Sequence, residues 1–208
     1  MTRHNNRRTA ALLCGCLAAL LILTAPAYAD RSIYVVRHGE RDNCGDLVPR
    51  GQQRAVDLLN DLLDENVVQI FVSKKHRTRD TARPLKYELV RRHILTPDPL
   101  PVLHRQRSEA DYQSKVVNKV LENDAVRENP QGAVLIVSHS EYLHEIANAF
   151  AKDYLEKHPD KAAKKIKHDQ YDLMYIVTFP TQGGVPTLTK TRYGSRYRHT
   201  PPPCKKRK

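Results

Sequence analysis

Three groups of basic residues follow three apolar runs of the sequence, and their side chains could bind and transfer a phosphoryl group. Arg37, His38 and Arg41 follow the first run, Arg77 follows the second, and His139 follows the third. A guanidinium group is a planar fork that matches phosphoryl oxygens and keeps its charge near neutral pH. A neutral imidazole can attack phosphorus because histidine titrates near neutrality. These residue types therefore predict a site for a phosphoryl group.

The elements that must position these residues alternate between strands and helices. Apolar runs at 32–36, 67–72 and 133–137 predict buried strands, and helical periodicity predicts helices between them. Such alternation is typical of a largely parallel sheet that is covered on both faces. We therefore expect an α/β fold, a three-layer α/β/α sandwich with a mostly parallel central sheet. The carboxyl ends of its strands would gather the three basic groups at one edge.

The remaining elements are predicted from the same patterns. Helices are expected at 51–64, 78–92, 110–127 and 141–155, a short strand at 101–103, and a hairpin of strands at 173–179 and 187–191. Pro84 lies inside the second helix, where it marks either a kink or a late helix start.

The first 29 residues have the layout of a secretory signal peptide. Three arginines and no acid precede an apolar run from Ala10 to Ala25, and Ala27-Tyr28-Ala29 follows as a small-x-small cleavage site. The run is shorter than the ~20 residues that a membrane-spanning helix needs, although a membrane anchor is the alternative. We expect cleavage near Ala29 and an exported protein, either periplasmic or secreted. The chain then divides into a signal peptide (1–29), a domain (30–195) and a basic, proline-containing tail (196–208).

Composition and charge indicate a globular protein with anionic partners. The 208 residues carry a net charge of +12, with 40% hydrophobic and 28% charged residues, which excludes collagen-like and low-complexity chains. The charge favours anionic substrates or envelope surfaces over a specific nucleic-acid partner. The tail could contact an anionic surface, and a solvated terminus is the alternative. The oligomeric state is left open.

Two cysteines, Cys44 and Cys204, remain once the signal peptide is removed. In an exported protein such a pair suggests one disulfide that closes a very long loop, and two free thiols are the alternative.

Motifs along the chain occur in a fixed order. Arg37-His38-Gly39-Glu40, the helix start 47–55, the segment 77–85 with its Pro84, and the strand that leads to His139 follow one another. This set resembles the histidine phosphatase (phosphoglycerate mutase-like) superfamily, and its small bacterial members in particular. The resemblance spans about residues 32–194 and identifies 30–195 as a histidine phosphatase domain.

The resemblance implies a role for each basic residue. His38 would be the nucleophile and would form a phosphohistidine, and His139 would complete the catalytic pocket. Arg37, Arg41 and Arg77 would bind the phosphoryl oxygens and stabilise the charge on the transferring group. No metal ion and no other cofactor is implied.

The proton donor is left open among three acids. Glu109 precedes a predicted helix at the place where one branch of the family supplies its acid, and we favour it slightly. Glu141 stands two residues after His139, where another branch places its acid, and Asp111 is the third candidate. A general acid must reach the leaving oxygen, and sequence alone does not place it.

The resemblance favours a phosphatase over a mutase. The segment between Arg77 and His139 leaves little room for the lid segments of family mutases, and export argues against a glycolytic role. We therefore expect a metal-independent phosphohydrolase, similar to histidine acid phosphatases, that acts on a phosphorylated small molecule or envelope component. The alternative is a non-catalytic protein on the same fold that binds a phospholigand or the envelope.

Overall fold

One six-stranded sheet carries the fold, and the computed structural model describes residues 30–103, 112–181, 183–195 and 202–203. The strands are β1 (Arg31–Arg37), β2 (Val67–Ser73), β3 (Val102–Leu103), β4 (Ala133–Ser138), β5 (Leu173–Phe179) and β6 (Thr187–Arg192). The helices are α1 (Pro49–Leu62), α2 (His76–Arg91), α3 (Tyr112–Leu121), α4 (Asp124–Glu128), α5 (Leu143–Phe150) and α6 (Lys152–Lys157), followed by a 3-10 turn at Pro159–Lys161.

Two predicted segments lie largely outside this description. The predicted signal peptide falls wholly outside the described residues, and of the tail only 202–203 are included. Within the described ranges, no helix combines the length and the apolar character that crossing a bilayer requires.

The strand order is β3-β2-β4-β1-β5-β6. The four strands β3, β2, β4 and β1 are mutually parallel, whereas β5 runs antiparallel to both β1 and β6. The predicted hairpin of β5 and β6 is therefore present. This mostly parallel sheet confirms the predicted α/β fold.

Strand register brings the two candidate histidines together. Arg37 at the end of β1 pairs with Ser138 at the end of β4. The backbone N–H of His38 then donates to the carbonyl of Ser138 at 3.1 Å, which extends the ladder by one residue. Because the two strands are parallel and in step, His38 and His139 leave the sheet side by side at its carboxyl edge.

The two faces of the sheet are covered by different helices, which gives three layers. In β1, Ile33 and Val35 are buried with residues of α3, α4 and α5, while Tyr34 and Val36 are buried with residues of α1 and α2. This alternation follows from the two-residue period of a strand, which sends successive side chains to opposite faces. Both faces of the central strands are therefore core, as their continuous apolar sequences predict.

Two predicted long helices are wrong in their extent, because each is interrupted. The helix predicted at 110–127 divides into α3 and α4 at Asn123, whose extended backbone (ψ 131°) places it as the N-cap of α4. The helix predicted at 141–155 begins only at Leu143 and is interrupted at Ala151. Glu141 therefore lies in the turn before α5 and not inside a helix, since Tyr142 and Leu143 both donate to the carbonyl of His139. By contrast, α2 starts two residues early and continues through Pro84, so a late helix start is excluded.

Two glycines allow the segment after β1 to pack against the start of α1. A Cβ on Gly39 would lie 2.5 Å from the carbonyl oxygen of Gly51, and a Cβ on Gly51 would overlap the backbone of Glu40. Neither glycine has a positive φ, so close backbone approach and not a left-handed turn requires them. This contact fixes the backbone on which His38 sits.

A buried ion pair ties the same segment to the end of the chain. Arg54 of α1 donates through Nε and Nη2 to both oxygens of Glu40, at 2.6–3.0 Å, and the side chains are 2% and 0% exposed. The same guanidinium donates to the carbonyl oxygens of Tyr193 and Ser195. Every nitrogen of Arg54 thus has an acceptor, which is the condition under which a buried charge is tolerated.

We predict that Arg54→Met destabilises the fold by about 3–5 kcal/mol, because it leaves the Glu40 carboxylate buried without its partner. The matched control is Arg83→Met. Arg83 also pairs with a carboxylate, but its side chain is 74% exposed. That variant is expected to cost less than about 1 kcal/mol. Urea unfolding at pH 7 measures both values. Equal losses for the two variants would contradict the assigned role of the Glu40–Arg54 pair.

Candidate active site

Two imidazoles form the centre of the site. The rings of His38 and His139 have centroids 5.3 Å apart and meet edge to face at 66°. His38 is only 2% exposed, whereas His139 is half-buried and lines a cavity. The predicted convergence of the β1 and β4 strand ends therefore produces one compact pair of rings.

The hydrogen bonds of His38 fix its tautomer. Nδ1 lies 2.8 Å from the carbonyl oxygen of Gly39, which can only accept, so Nδ1 carries the proton. Nε2 lies 2.9 Å from Nε of Arg77, which can only donate, so Nε2 holds a lone pair. The ring is thus oriented with a nucleophilic nitrogen toward the arginine that the sequence assigns to phosphoryl binding.

His139 is held in the complementary orientation. Its Nδ1 lies 3.4 Å from Nη2 of Arg77 and accepts that bond, so Nε2–H donates to the hydroxyl of Ser73 at 2.9 Å. The Ser73 hydroxyl is held by Thr78 at 3.1 Å and by the backbone N–H of Lys75 at 3.2 Å. The end of β2 and the start of α2 therefore orient the second imidazole.

Both imidazoles are kept neutral at physiological pH. Burial lowers the pKa of His38 well below its usual range against the opposing bond to Gly39, and the charges of Arg77 and Arg37 lower it further. For His139, burial and the charge of Arg77 lower the pKa to about 4. A neutral ring at His38 keeps its Nε2 lone pair available for attack on an electrophile.

Arg77 links the two rings. Its Nε bonds His38 and its Nη2 bonds His139, so one guanidinium spans the pair. Thr81, one turn later in α2, accepts from the backbone N–H of Gly39 at 2.8 Å and donates to the carbonyl of Arg77 at 2.7 Å. The first turn of α2 is thereby attached to the backbone beside His38, which sets the position of Arg77.

Arg37 is held by a loop from the far end of the chain. Its Nη1 donates to the carbonyl oxygens of His168 at 2.7 Å and Gln170 at 2.9 Å, with Lys167 at 3.4 Å. The guanidinium carbon lies 3.6 Å from the ring centroid of Tyr171, a cation–π contact. Its Nε is buried with no hydrogen-bond partner among the described residues, so it offers a donor that a phosphoryl oxygen could satisfy.

Arg41 adds a third positive charge. It donates to the carbonyl of Asp42 at 2.7 Å, and its charge lowers the pKa of both Arg37 and Arg77, although burial is the larger cause for each. Three guanidinium groups that repel one another around two neutral rings favour an anion of high charge. The structure thus brings together the three predicted phosphate-binding arginines.

A cavity of about 400 Å³ opens beside the histidines. Arg77, His139 and Glu141 line it together with Ser73, Lys74, Lys75, Leu103, Tyr112 and Tyr142. Burial raises the pKa of Glu141, but a bond from its own backbone N–H and the charges of His139, His168 and Arg37 outweigh burial and lower it. Glu141 is therefore in the pocket as a carboxylate.

The other two candidate acids, Glu109 and Asp111, lie outside the described residues. Within the described residues, no group of three or more His, Cys, Asp or Glu side chains is arranged to hold a metal ion.

The loop beside Arg77 carries a disulfide. Cys44 is disulfide-bonded, and its predicted partner Cys204 lies outside the described residues. The neighbouring Asn43 donates its backbone N–H to the carbonyl of Pro202 at 3.0 Å. A Cβ on Gly45 would lie 3.4 Å from Nη1 of Arg77, so this loop packs close to the Arg77 guanidinium.

Sequence reasoning missed several residues that shape the site. The ring of Tyr171 packs against the guanidinium of Arg37 and meets His38 edge to face with centroids 6.0 Å apart. Tyr112 and Tyr142 form an edge-to-face pair at 5.7 Å on the cavity wall. No spacing in the sequence marks these tyrosines, because they come from separate elements that only the fold brings together.

Known structures share this fold. The glucosyl-3-phosphoglycerate phosphatase of a mycobacterium, solved with VO3, has a TM-score of 0.53 and 15% identity, over 80% of this chain and 100% of that one. A Nakamurella multipartitia protein assigned as the phosphohistidine phosphatase SixA has a TM-score of 0.53 and 14% identity, over 80% and 98%. No protein-family model and no curated protein sequence matches the chain.

The chain therefore shares the fold of these two phosphatase structures, which is the fold that the resemblance implied. Its neighbours at this level of identity define the architecture of the chain, and the activity has to be argued from the site.

The low pKa of His139 predicts a loss of stability in acid. Between about pH 6.5 and pH 4 the unfolded chain binds a proton on this imidazole that the folded chain excludes, so the free energy of unfolding falls as the pH falls. The loss is of the order of 2–3 kcal/mol for this residue. His139→Asn is expected to remove most of it, whereas His76→Asn, at an exposed position, is expected to remove none.

Denaturant unfolding at pH 6.5 and pH 4.5 tests this prediction. The difference between the two pH values should be smaller in His139→Asn than in the wild type or in His76→Asn. An identical pH dependence in all three proteins would contradict the lowered pKa.

Proposed function

We propose that the protein is an exported phosphatase that hydrolyses phosphate monoesters through a phosphohistidine intermediate on His38. The observation that carries this proposal is the neutral His38 ring, whose Nε2 lies 2.9 Å from a guanidinium nitrogen of Arg77 and whose pKa the charges of Arg77 and Arg37 help to lower. The arginines supply the charge that a phosphoryl dianion requires, and the ring supplies the nucleophile.

In the first step, Nε2 of His38 attacks phosphorus while the bond from phosphorus to the leaving oxygen breaks. The lone pair must first be released from Arg77, because the nitrogen that accepts from the guanidinium is the one that attacks. Transfer of the Arg77 donors to the phosphoryl oxygens both frees the nucleophile and stabilises the charge on the transferring group. Nδ1–H keeps its bond to Gly39, which disperses the positive charge that develops on the ring.

The leaving oxygen needs a proton as its bond to phosphorus breaks. Glu141 lines the cavity with His139, which supports it as the donor. A phosphoryl dianion bound beside it would raise the pKa of its carboxyl group and favour the protonated form. Glu109 and Asp111 are the other candidates, and a loss of activity specific to one variant identifies the donor.

In the second step, water attacks the phosphorus of phosphohistidine. The carboxylate left by the first step accepts a proton from the water, the bond between Nε2 and phosphorus breaks, and inorganic phosphate leaves. His38 returns as the neutral ring with a proton on Nδ1. A ring that resists protonation allows this cycle to operate in mild acid, in keeping with an activity similar to that of histidine acid phosphatases.

Two of the structural neighbours are named as phosphatases, and the one from a mycobacterium was solved with VO3. Their activities belong to those proteins, but they agree with a phosphatase assignment on the shared fold.

Export is part of the proposal. The signal-peptide layout of residues 1–29 supports it, and the disulfide at Cys44 supports it independently, because disulfides persist in oxidising compartments. The basic residues of the tail would then face an anionic envelope surface, and the substrate would be a phosphorylated small molecule or envelope component.

Release of p-nitrophenol from p-nitrophenyl phosphate tests the activity. We expect wild-type protein to turn over this ester with EDTA present, and His38→Ala to lose at least about 1,000-fold in kcat, because the covalent route is removed. The matched control is His76→Ala, which truncates an exposed histidine at the start of α2 and is expected to keep wild-type activity.

Each alternative has its own result. Equal turnover in wild type and His38→Ala would refute the nucleophile. Turnover that EDTA abolishes would refute a metal-independent reaction. If folded wild-type protein turns over no ester but binds inorganic phosphate tightly, the protein is a non-catalytic phospholigand-binding protein.

A further inference from the structure

The cavity has a part that the proposed steps of catalysis do not use. Lys74 and Lys75, in the link between β2 and α2, line it together with Leu103, Tyr112 and Tyr142. On the proposed function, Arg77 and His139 at one end of this cavity would contact the reacting phosphoryl group, so the other lining residues would surround whatever is attached to the phosphate. They therefore bear on the chemistry of the leaving group.

The two lysines are available to a ligand. Both side chains are exposed, and among the described residues neither ammonium group forms an ion pair. The carboxylate of Glu141 lines the same cavity, but it stands two residues after His139, beside the reacting group. Two adjacent cations without a carboxylate of their own form a surface that attracts an anion.

Lys75 lies within electrostatic reach of the catalytic rings. Its charge contributes to the lowering of the pKa of His139, after the larger effects of burial, Arg77 and Arg37. Its backbone N–H donates to the Ser73 hydroxyl that holds His139, so the link that carries it is anchored to the catalytic pocket. The backbone that carries Lys75 is thus attached to the hydroxyl that orients His139.

The dimensions fit a small molecule. A cavity of about 400 Å³ lies in the range of small-ligand sites, and a phosphoryl group fills only a minor part of it. The paired rings of Tyr112 and Tyr142, with the Tyr142 ring 6.4 Å from that of His139, supply an apolar wall for a short carbon skeleton. The cavity thus combines a reacting end, an apolar wall and a cationic patch.

From this arrangement we propose that Lys74 and Lys75 form a subsite for a second anionic group, a carboxylate or a phosphate, on the leaving group of the substrate. The preferred substrates are then small phosphate monoesters that carry two anionic ends. This inference rests on the proposed function, because it assigns the substrate class of the same site.

Matched pairs of esters test the subsite. Glycerol 3-phosphate and 3-phosphoglycerate differ by one carboxylate on a three-carbon skeleton, and glucitol 6-phosphate and 6-phosphogluconate differ in the same way on an open six-carbon skeleton. Fructose 1,6-bisphosphate against fructose 6-phosphate adds a second phosphate. We expect the more anionic member of at least one pair to have a kcat/KM about tenfold higher in the wild type.

The double variant Lys74→Gln/Lys75→Gln is expected to reduce that ratio to near one while it leaves the kcat/KM of the less anionic member within about twofold. The matched control is Lys164→Gln/Lys165→Gln, which removes an adjacent pair of exposed lysines that do not line this cavity and lowers the net charge equally. The control should keep the wild-type ratio. Circular dichroism and thermal unfolding establish that both variants are folded.

The outcomes separate the subsite from the activity. A wild-type ratio near one in all three pairs, or a ratio that survives in Lys74→Gln/Lys75→Gln, would overturn the subsite. If the wild type hydrolyses none of the esters, the proposed function fails, and calorimetric binding of the same pairs judges the subsite instead. Tighter binding of the more anionic member in the wild type, lost in the Lys74→Gln/Lys75→Gln variant alone, would uphold it, and equal binding would overturn it.

Discussion

The repulsion among three guanidinium groups around one buried imidazole is the constraint on which the site depends. Arg37, Arg41 and Arg77 lie close enough for Arg41 to lower the pKa of the other two, and two of them lower the pKa of His38. A cationic His38 would add a fourth charge in a buried position, so the ring stays neutral. Burial is the larger cause of this neutrality, and the charges of Arg77 and Arg37 add to it.

Holding these charges together requires support from distant parts of the chain. Arg37 donates hydrogen bonds to the backbone carbonyls of residues 167, 168 and 170, and its guanidinium packs against the ring of Tyr171. All four residues lie about 130 positions further along the sequence. The backbone beneath His38 is fixed by the Gly39–Gly51 contact and by the Glu40–Arg54 pair. The positions of Arg37 and His38 thus depend on contacts with residues that are distant in sequence.

The apolar runs of the sequence predict the strands β1, β2 and β4. Because the carboxyl ends of parallel strands share one edge of a sheet, His38, Arg77 and His139 are expected to converge at that edge. The sequence did not predict the break of the helix at Asn123, because the apolar periodicity continues across it. Nor did it predict the support of Arg37, since backbone carbonyls carry no residue signature and Tyr171 has no distinctive spacing. Convergence follows from topology, whereas the orientation of each side chain follows from packing that no local pattern encodes.

Trapping of the phosphoryl-enzyme tests the central claim most directly. Wild-type protein is mixed with a radiolabelled phosphate monoester, quenched within one turnover and digested in base, in which phosphohistidine survives. We predict label on the peptide that contains His38 and no label in His38→Ala. Nuclear magnetic resonance of the labelled peptide should show phosphorus bonded to Nε2. Label on another residue, or turnover without any covalent phosphate, would contradict nucleophilic attack by His38.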